Sequence, residues 1–222
     1  MFYFINNEIW SIISITLQMS FASTSISLVL GTVLGLLLER ARFPGKRIVV
    51  RINRTLMGVP PVVIGLLVYL LFMRRGPFGA LDVLFTVPAM IIAQVLIITP
   101  IISGLIYSHA NKAAPSIRVF AKTMGASKFQ GIKLLLKEMR HEIYFAIVAG
   151  FGRSISEVGA VMIVGGNIAG RTRTMTTAIS TLGRQGIFRQ GIVLGITLMV
   201  MAFILQSIAA NIRKKDVGEE NH

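Results

Sequence analysis

No cysteine occurs in the 222 residues, tryptophan occurs once, and only 9 side chains are acidic. The lack of cysteine excludes a disulfide framework and any thiolate metal site. The three histidines, His109, His141 and His222, are too scattered to point to an imidazole site, so no metal centre is expected. Charge is scarce as well: Asp, Glu, Lys and Arg make up 14% of the chain, against roughly 25% in soluble domains. That scarcity argues against a soluble protein, and a mean hydropathy of +0.72 points to the bilayer. A hydrocarbon crossing takes about 20 residues, so a few crossings fill this length and leave no room for a separate catalytic domain. No Lys or Arg precedes Arg40, and Glu8 stands ahead of the first apolar run. The positive n-region of a secretory signal is therefore missing, and the first apolar segment is expected to stay as a helix.

What the sequence has in quantity is apolar runs. They fall at about 9–38, 56–73, 83–107, 143–164 and 191–210, each near or above crossing length. The expected fold is an all-α integral membrane domain over 12–210 with about five transmembrane helices, a cytoplasmic loop at 108–142 and a cytoplasmic tail at 211–222. Ser and Thr crowd the first run, which places its early turns at the interface with Trp10 as an anchor. The net charge of +14 does not call for nucleic acid, because membrane proteins concentrate Lys and Arg in cytoplasmic loops. One set of alternate loops holds 16 of these cations and the other 6. The asymmetry puts the N-terminus outside and the C-terminus in the cytoplasm of a multi-pass cell-membrane protein. Pro60, Pro61, Gly65, Pro88, Pro100 and Gly104 fall inside the runs. Backbone groups freed there need neighbouring helices or a polar cavity, so either close packing or a transport pathway accounts for them.

Between the third and fourth runs, Ile117, Phe120, Ala121 and Met124 recur at helical spacing and predict a short helix with Arg118 and Lys122 turned away. Gly125 stops it, and Ser127 caps a second helix presenting Phe129, Ile132, Leu136 and Met139. Such a helix pair either lies on anionic lipid or docks into a groove on a soluble partner. Arg153 and Glu157 stand four apart in the fourth run and so share a helix face. Met175, Ala178, Ile179 and Leu182 predict another short helix, Thr174 to Leu182, ended by Gly183. Gly165 to Thr172 matches the phosphate-cradling pattern G-x-x-x-x-G-K-[ST] except for Arg171 in place of lysine. The apolar stretch before it reaches back to Ile143, too long for the strand that pattern requires, and the charge asymmetry places the loop outside the cell. No nucleotide site is expected there.

The run Val119-Phe120-Ala121-Lys122-Thr123-Met124-Gly125-Ala126-Ser127 resembles the cytoplasmic EAA loop of ABC importer permeases. Val119 and Phe120 replace its first two letters, and Glu138 stands where many members have proline. Gly58 to Gly65, Gly152 to Ala160 and Gly166 to Thr172 are similar to segments of the oxyanion branch of that family. The string Ser156 to Ile168 is closest to the tungstate type, and the likeness runs in order from about Thr16 to Ala210.

The resemblance implies a type I ABC importer transmembrane fold in a homodimer that forms the pathway, two cytoplasmic ATP-binding subunits, and an extracytoplasmic oxyanion-binding protein. Tungstate is the implied substrate, with molybdate or another tetrahedral oxyanion as the alternative. Ile117, Phe120, Ala121, Met124, Gly125, Ala126 and Ser127 would meet the ATPase, where ATP and Mg are held; this chain would carry no cofactor and no catalytic residue. Arg153 either pairs with Glu157 to pin its span or borders the anion route. Asn167, Arg171 and Arg173 fall at the outer mouth beside the Thr174–Leu182 helix, where the arginines draw in an anion or meet the binding protein. An autonomous ion-coupled transporter would need a titrating site of its own, for which only Glu157 is available. A bare membrane anchor leaves the broken spans and outer arginines without a role.

Overall fold

The computed structural model describes residues 2–218, with side chains over residues 8–207. Residues 219–222, the end of the expected tail with His222, lie outside the described residues. Helices account for nearly all regular structure, and no strand occurs among the described residues.

The bundle is built on two long parallel helices, α1 (Phe2–Arg40) and α4 (Val87–Thr123). α1 is apolar on its outside, but its inward stripe is small and polar: Thr16, Ser20, Ser23 and Ser27 are buried, followed by Gly31 and Gly35. Small residues let the two backbones approach. A Cβ at Gly31 would come within 2.7 Å of Ile102, and one at Gly35 within 2.8 Å of the Ser103 carbonyl. The Ser/Thr content of α1 therefore faces the bundle interior rather than the membrane interface, while Trp10 is exposed.

Two expected crossings are interrupted. α2 (Lys46–Met57) and α3 (Pro61–Phe72) meet at a 101° bend, and α6 (Arg140–Ile155) and α7 (Gly159–Gly165) at 57°. The expected 56–73 span thus shortens to a 12-residue α3, because Pro60 holds an extended backbone and Pro61 fixes the first helical position. α2 fills what read as a loop. Among the described residues three helices are long and apolar enough to cross alone, and the count rises to five if each bent pair is one crossing.

The third expected span ends well beyond 107. α4 continues for 37 residues to Thr123, so the predicted separate helix at Ile117 to Met124 is the end of α4 itself. Ser108 to Ala114 is rich in helix-compatible residues, and the carbonyl freed by Pro115 belongs to Asn111, an exposed residue of the helix. α5 (Lys128–Glu138) then turns back, α8 (Met175–Arg184) is a short helix, and α9 (Phe188–Gly218) carries the 191–210 span on through most of the expected tail.

Three apolar clusters fill the bundle. One joins α1, α3, α4 and α7; a second joins α1, α4, α5 and α6; a third seats α8 between α1 and α9 through Ile12, Met175, Ala178 and Leu194.

Candidate functional site

The two helix breaks pack against each other at one depth. A Cβ at Gly65 would lie 2.6 Å from the Ala160 Cα, and one at Gly159 would lie 2.6 Å from Val62. α3 and α7 therefore touch backbone to backbone just where each helix begins. Gly58, Pro60 and Ser156, at the interruptions themselves, are exposed on this chain.

Glu157 organises this junction. Its side chain is only 4% exposed, and its Oε2 meets Arg153 Nη2 at 2.9 Å. Its Oε1 accepts from the Ala160 amide at 3.2 Å, and its backbone carbonyl accepts from Thr176 Oγ1 at 2.8 Å. The pair was expected on one helix face, but α6 ends at Ile155 and Glu157 lies in the break. The carboxylate thus caps α7 and ties it to α6, while the backbone carbonyl of the same residue ties the break to α8. Arg153 remains partly exposed.

The loop after α7 sits at the end of the bundle that also holds Glu8. The amides of Arg171, Thr172 and Arg173 all donate to the Ile168 carbonyl, and Thr172 Oγ1 turns back onto the Gly165 carbonyl. The amides of Gly166 and Ile168 are bonded internally as well, so most of the donors a phosphate cradle would use are already taken. Asn167 donates from Nδ2 to Thr181 Oγ1 at 2.8 Å, fastening the loop to α8. Arg173 Nη1 donates to Glu8 Oε1 at 2.8 Å, so its charge is already engaged. Arg171 is exposed and makes no ion pair among the described residues. Thr174 caps α8 in a reciprocal capping box with Thr177, close to where the sequence places that helix.

At the opposite end, Glu39 pairs with Arg118 and holds α1 to the end of α4. Gly125 turns the chain with φ +68, and Ser127 caps α5 in a capping box with Gln130. The seven residues proposed for docking divide. Ala121 is buried and Ile117 and Ala126 are half-buried, lining a groove of about 700 Å³ against α1 and α5. Phe120, Met124, Gly125 and Ser127 are exposed, with Val119 and Phe129 beside them.

Residues 8–215 match the family described as the binding-protein-dependent transport system inner membrane component. The chain belongs to that family. As a member it is a multi-pass membrane protein with the fold of type I ABC importer permeases. It is 38% identical to the tungstate uptake system permease protein TupB of Peptoclostridium acidaminophilum, over 94% of this chain and 91% of that one. It is 36% identical to a probable anion ABC transporter permease protein of Haloferax volcanii, over 94% and 92% of the two chains. Among solved structures, the inward-facing MetNI methionine ABC transporter shares the fold, with a TM-score of 0.74 at 18% identity over 97% of both chains.

Within this inner membrane component, sequence reading misses Thr16, Gln94, Ser154 and Thr176. Thr16 Oγ1 receives the Met175 amide at 2.9 Å, and Ser154 Oγ meets Ser23 Oγ at 3.0 Å. Gln94 is wholly buried in α4. A buried glutamine in an apolar run is a legible signal; the hydroxyls are hidden among many others of their kind.

Proposed function

We propose that two copies of this chain form the translocation pathway of an ATP-driven tungstate importer. Hydrolysis belongs to two ATP-binding subunits that hold ATP and Mg, and an extracytoplasmic protein delivers the anion. The exposed break carries the reading. Bare backbone at membrane depth is tolerated only against protein or a watered cavity, and Gly58, Pro60 and Ser156 are uncovered on the single chain. A second copy facing them supplies that cover and encloses a route. The anion comes from the relatives' names, with molybdate as the alternative of the same shape and charge.

The Glu8 end is placed outside, because the opposite end collects the greater share of Lys and Arg. α4 runs about 24 Å past Tyr107, which carries Phe120, Met124 and Phe129, 58%, 71% and 77% exposed, clear of the bilayer. Large apolar side chains exposed to water mark a protein interface, and the ATP-binding subunit is the partner proposed. Gly125 holds the turn between the helices, and a β-branched residue at its positive φ is strained by about 1–3 kcal/mol, although nothing lies within 4 Å of the site. Gly125→Val is therefore expected to insert normally but to lose co-purifying ATPase and ATP-driven tungstate uptake. Gly125→Asn, which tolerates that backbone, is expected to retain both. Uptake by the chain alone, driven by an ion gradient without ATPase or binding protein, overturns the proposal.

Of the two arginines at the outer mouth, Arg171 is the one not engaged by Glu8 and so the one free to attract an anion. Arg171→Gln is expected to slow uptake at limiting tungstate by a factor that shrinks with added salt, since such attraction decays over about 8 Å at physiological ionic strength. Docking of the binding protein is expected to stay at the parent level. A variant that docks weakly without substrate assigns Arg171 to the protein contact instead.

A further inference from the structure

α2 is turned 101° from α3 and has no fully buried residue, yet all of its 12 residues but Thr55 sort into three faces. Lys46, Val50, Asn53 and Met57 are the half-buried ones and face α4. Asn53 Oδ1 accepts from Ser103 Oγ at 2.9 Å, Met57 lies against Gly104, and Lys46 Nζ stands 5.8 Å over the Tyr107 ring. On the second face, Ile48, Val49, Ile52 and Leu56 are exposed. Arg47, Arg51 and Arg54, at i, i+4 and i+7, make the third face and are exposed too. They line a hollow of about 630 Å³ with Phe43, Lys46 and Tyr107.

No acidic residue lies between Glu39 and Asp82, and Glu39 is engaged by Arg118. The basic face therefore has no neutralising group on its own helix or on the flanking segments. A helix with an apolar face, a separate arginine face and its axis turned away from the neighbouring crossing matches the pattern of an in-plane interfacial helix. Tyr107, an aromatic of the kind that sits at headgroup level, lies beside Lys46 at the N-terminal end of α2, and the other end of α2 reaches toward the break, with Met57 against Gly104.

We propose that α2 is a binding site for anionic phospholipid, with Ile48, Ile52 and Leu56 in the acyl region and Arg47, Arg51 and Arg54 on the headgroup phosphates. Charge complementarity selects this occupant, since three uncompensated guanidiniums beside an apolar strip suit a phosphate carried on a hydrocarbon chain. The proposal rests on the membrane placement of the fold and not on the identity of the transported anion. Its readouts therefore do not involve transport.

The full chain is reconstituted with spin-labelled phosphatidylglycerol or phosphatidylcholine, and the motionally restricted fraction of each is measured. Each arginine near an anionic surface is worth roughly fivefold in binding, so the parent is expected to favour phosphatidylglycerol severalfold. The preference is expected to fall in the Arg47→Gln, Arg51→Gln, Arg54→Gln variant and in high salt. Equal association of the two lipids with the parent, or an undiminished preference in the variant, overturns the proposal. Because the chain has no cysteine, a single label at Ile52→Cys reports depth cleanly. Quenching by a lipid-soluble agent is expected, and protection from it overturns the lipid assignment in favour of a protein cover from a second copy or the ATPase.

Discussion

Alanine at Gly65 will leave a chain that reaches the membrane but no longer transports. The added methyl would stand 2.6 Å from the Ala160 Cα and 3.2 Å from its carbonyl oxygen. Both are backbone atoms that no rotamer change moves aside. α3 has to retreat from α7, and the two breaks lose their common level. Overpacking of this kind costs about 1–3 kcal/mol, and the displacement falls on the proposed route. Gly104→Ala is the matched control. Its methyl meets the Met57 sulfur at 2.4 Å, the far end of a flexible side chain, which swings away. The expected result is near-parental uptake and melting temperature for Gly104→Ala, and loss of uptake with a lowered melting temperature for Gly65→Ala. Parental uptake by Gly65→Ala removes the close approach of the breaks from the account.

The second large effect is expected at Arg153. Arg153→Gln strands the Glu157 carboxylate, 4% exposed, with the Ala160 amide as its remaining donor among the described residues. Leaving a buried carboxylate without its counter-charge is strongly destabilising, less so where, as here, the lost partner was partly exposed, and the variant is expected to be poorly folded or depleted from the membrane. Glu157→Gln keeps an oxygen to cap α7 and is expected to be milder. Replacing both by Gln removes both charges and preserves the cap, so stability is expected to return. Uptake is expected to return with it, because Glu157 already neutralises the guanidinium and leaves little field for a passing anion. A double variant that folds like the parent yet fails to transport places Arg153 on the anion route.

These two effects lie where the sequence was only half legible. Spacing alone put Arg153 and Glu157 within reach of each other, but the end of α6 at Ile155 is not written in any proline or helix-breaking run. The carboxylate's second role, capping α7, depends on that break and so was invisible. The capped starts of α5 at Ser127 and α8 at Thr174 were readable, because a hydroxyl three residues ahead of a suitable side chain is a local signal. The end of the third span was not readable. Charged and small residues after Tyr107 look like a loop, yet they support a helix when α1 and α5 pack beside it. α2 was hidden for a related reason: six cations between Arg40 and Arg54 satisfied a topology rule, and the apolar strip among them went unused. On α1 the hydroxyls read as interfacial because periodicity, with Thr16, Ser20, Ser23 and Ser27 all on one stripe, was outweighed by composition.

The continuity of α4 bears on how its two ends are linked. A helix of 37 residues is about 55 Å long, with Gln94 and Gly104 in its N-terminal half and middle beside the packed breaks and the Gly125 turn just past its C-terminal end. No segment between them has to fold or unfold for one end to respond to the other. An event at the turn therefore has one continuous helix leading toward the breaks, and Pro100 and Pro115 are the points along it where the hydrogen-bond ladder is interrupted and bending can be taken up.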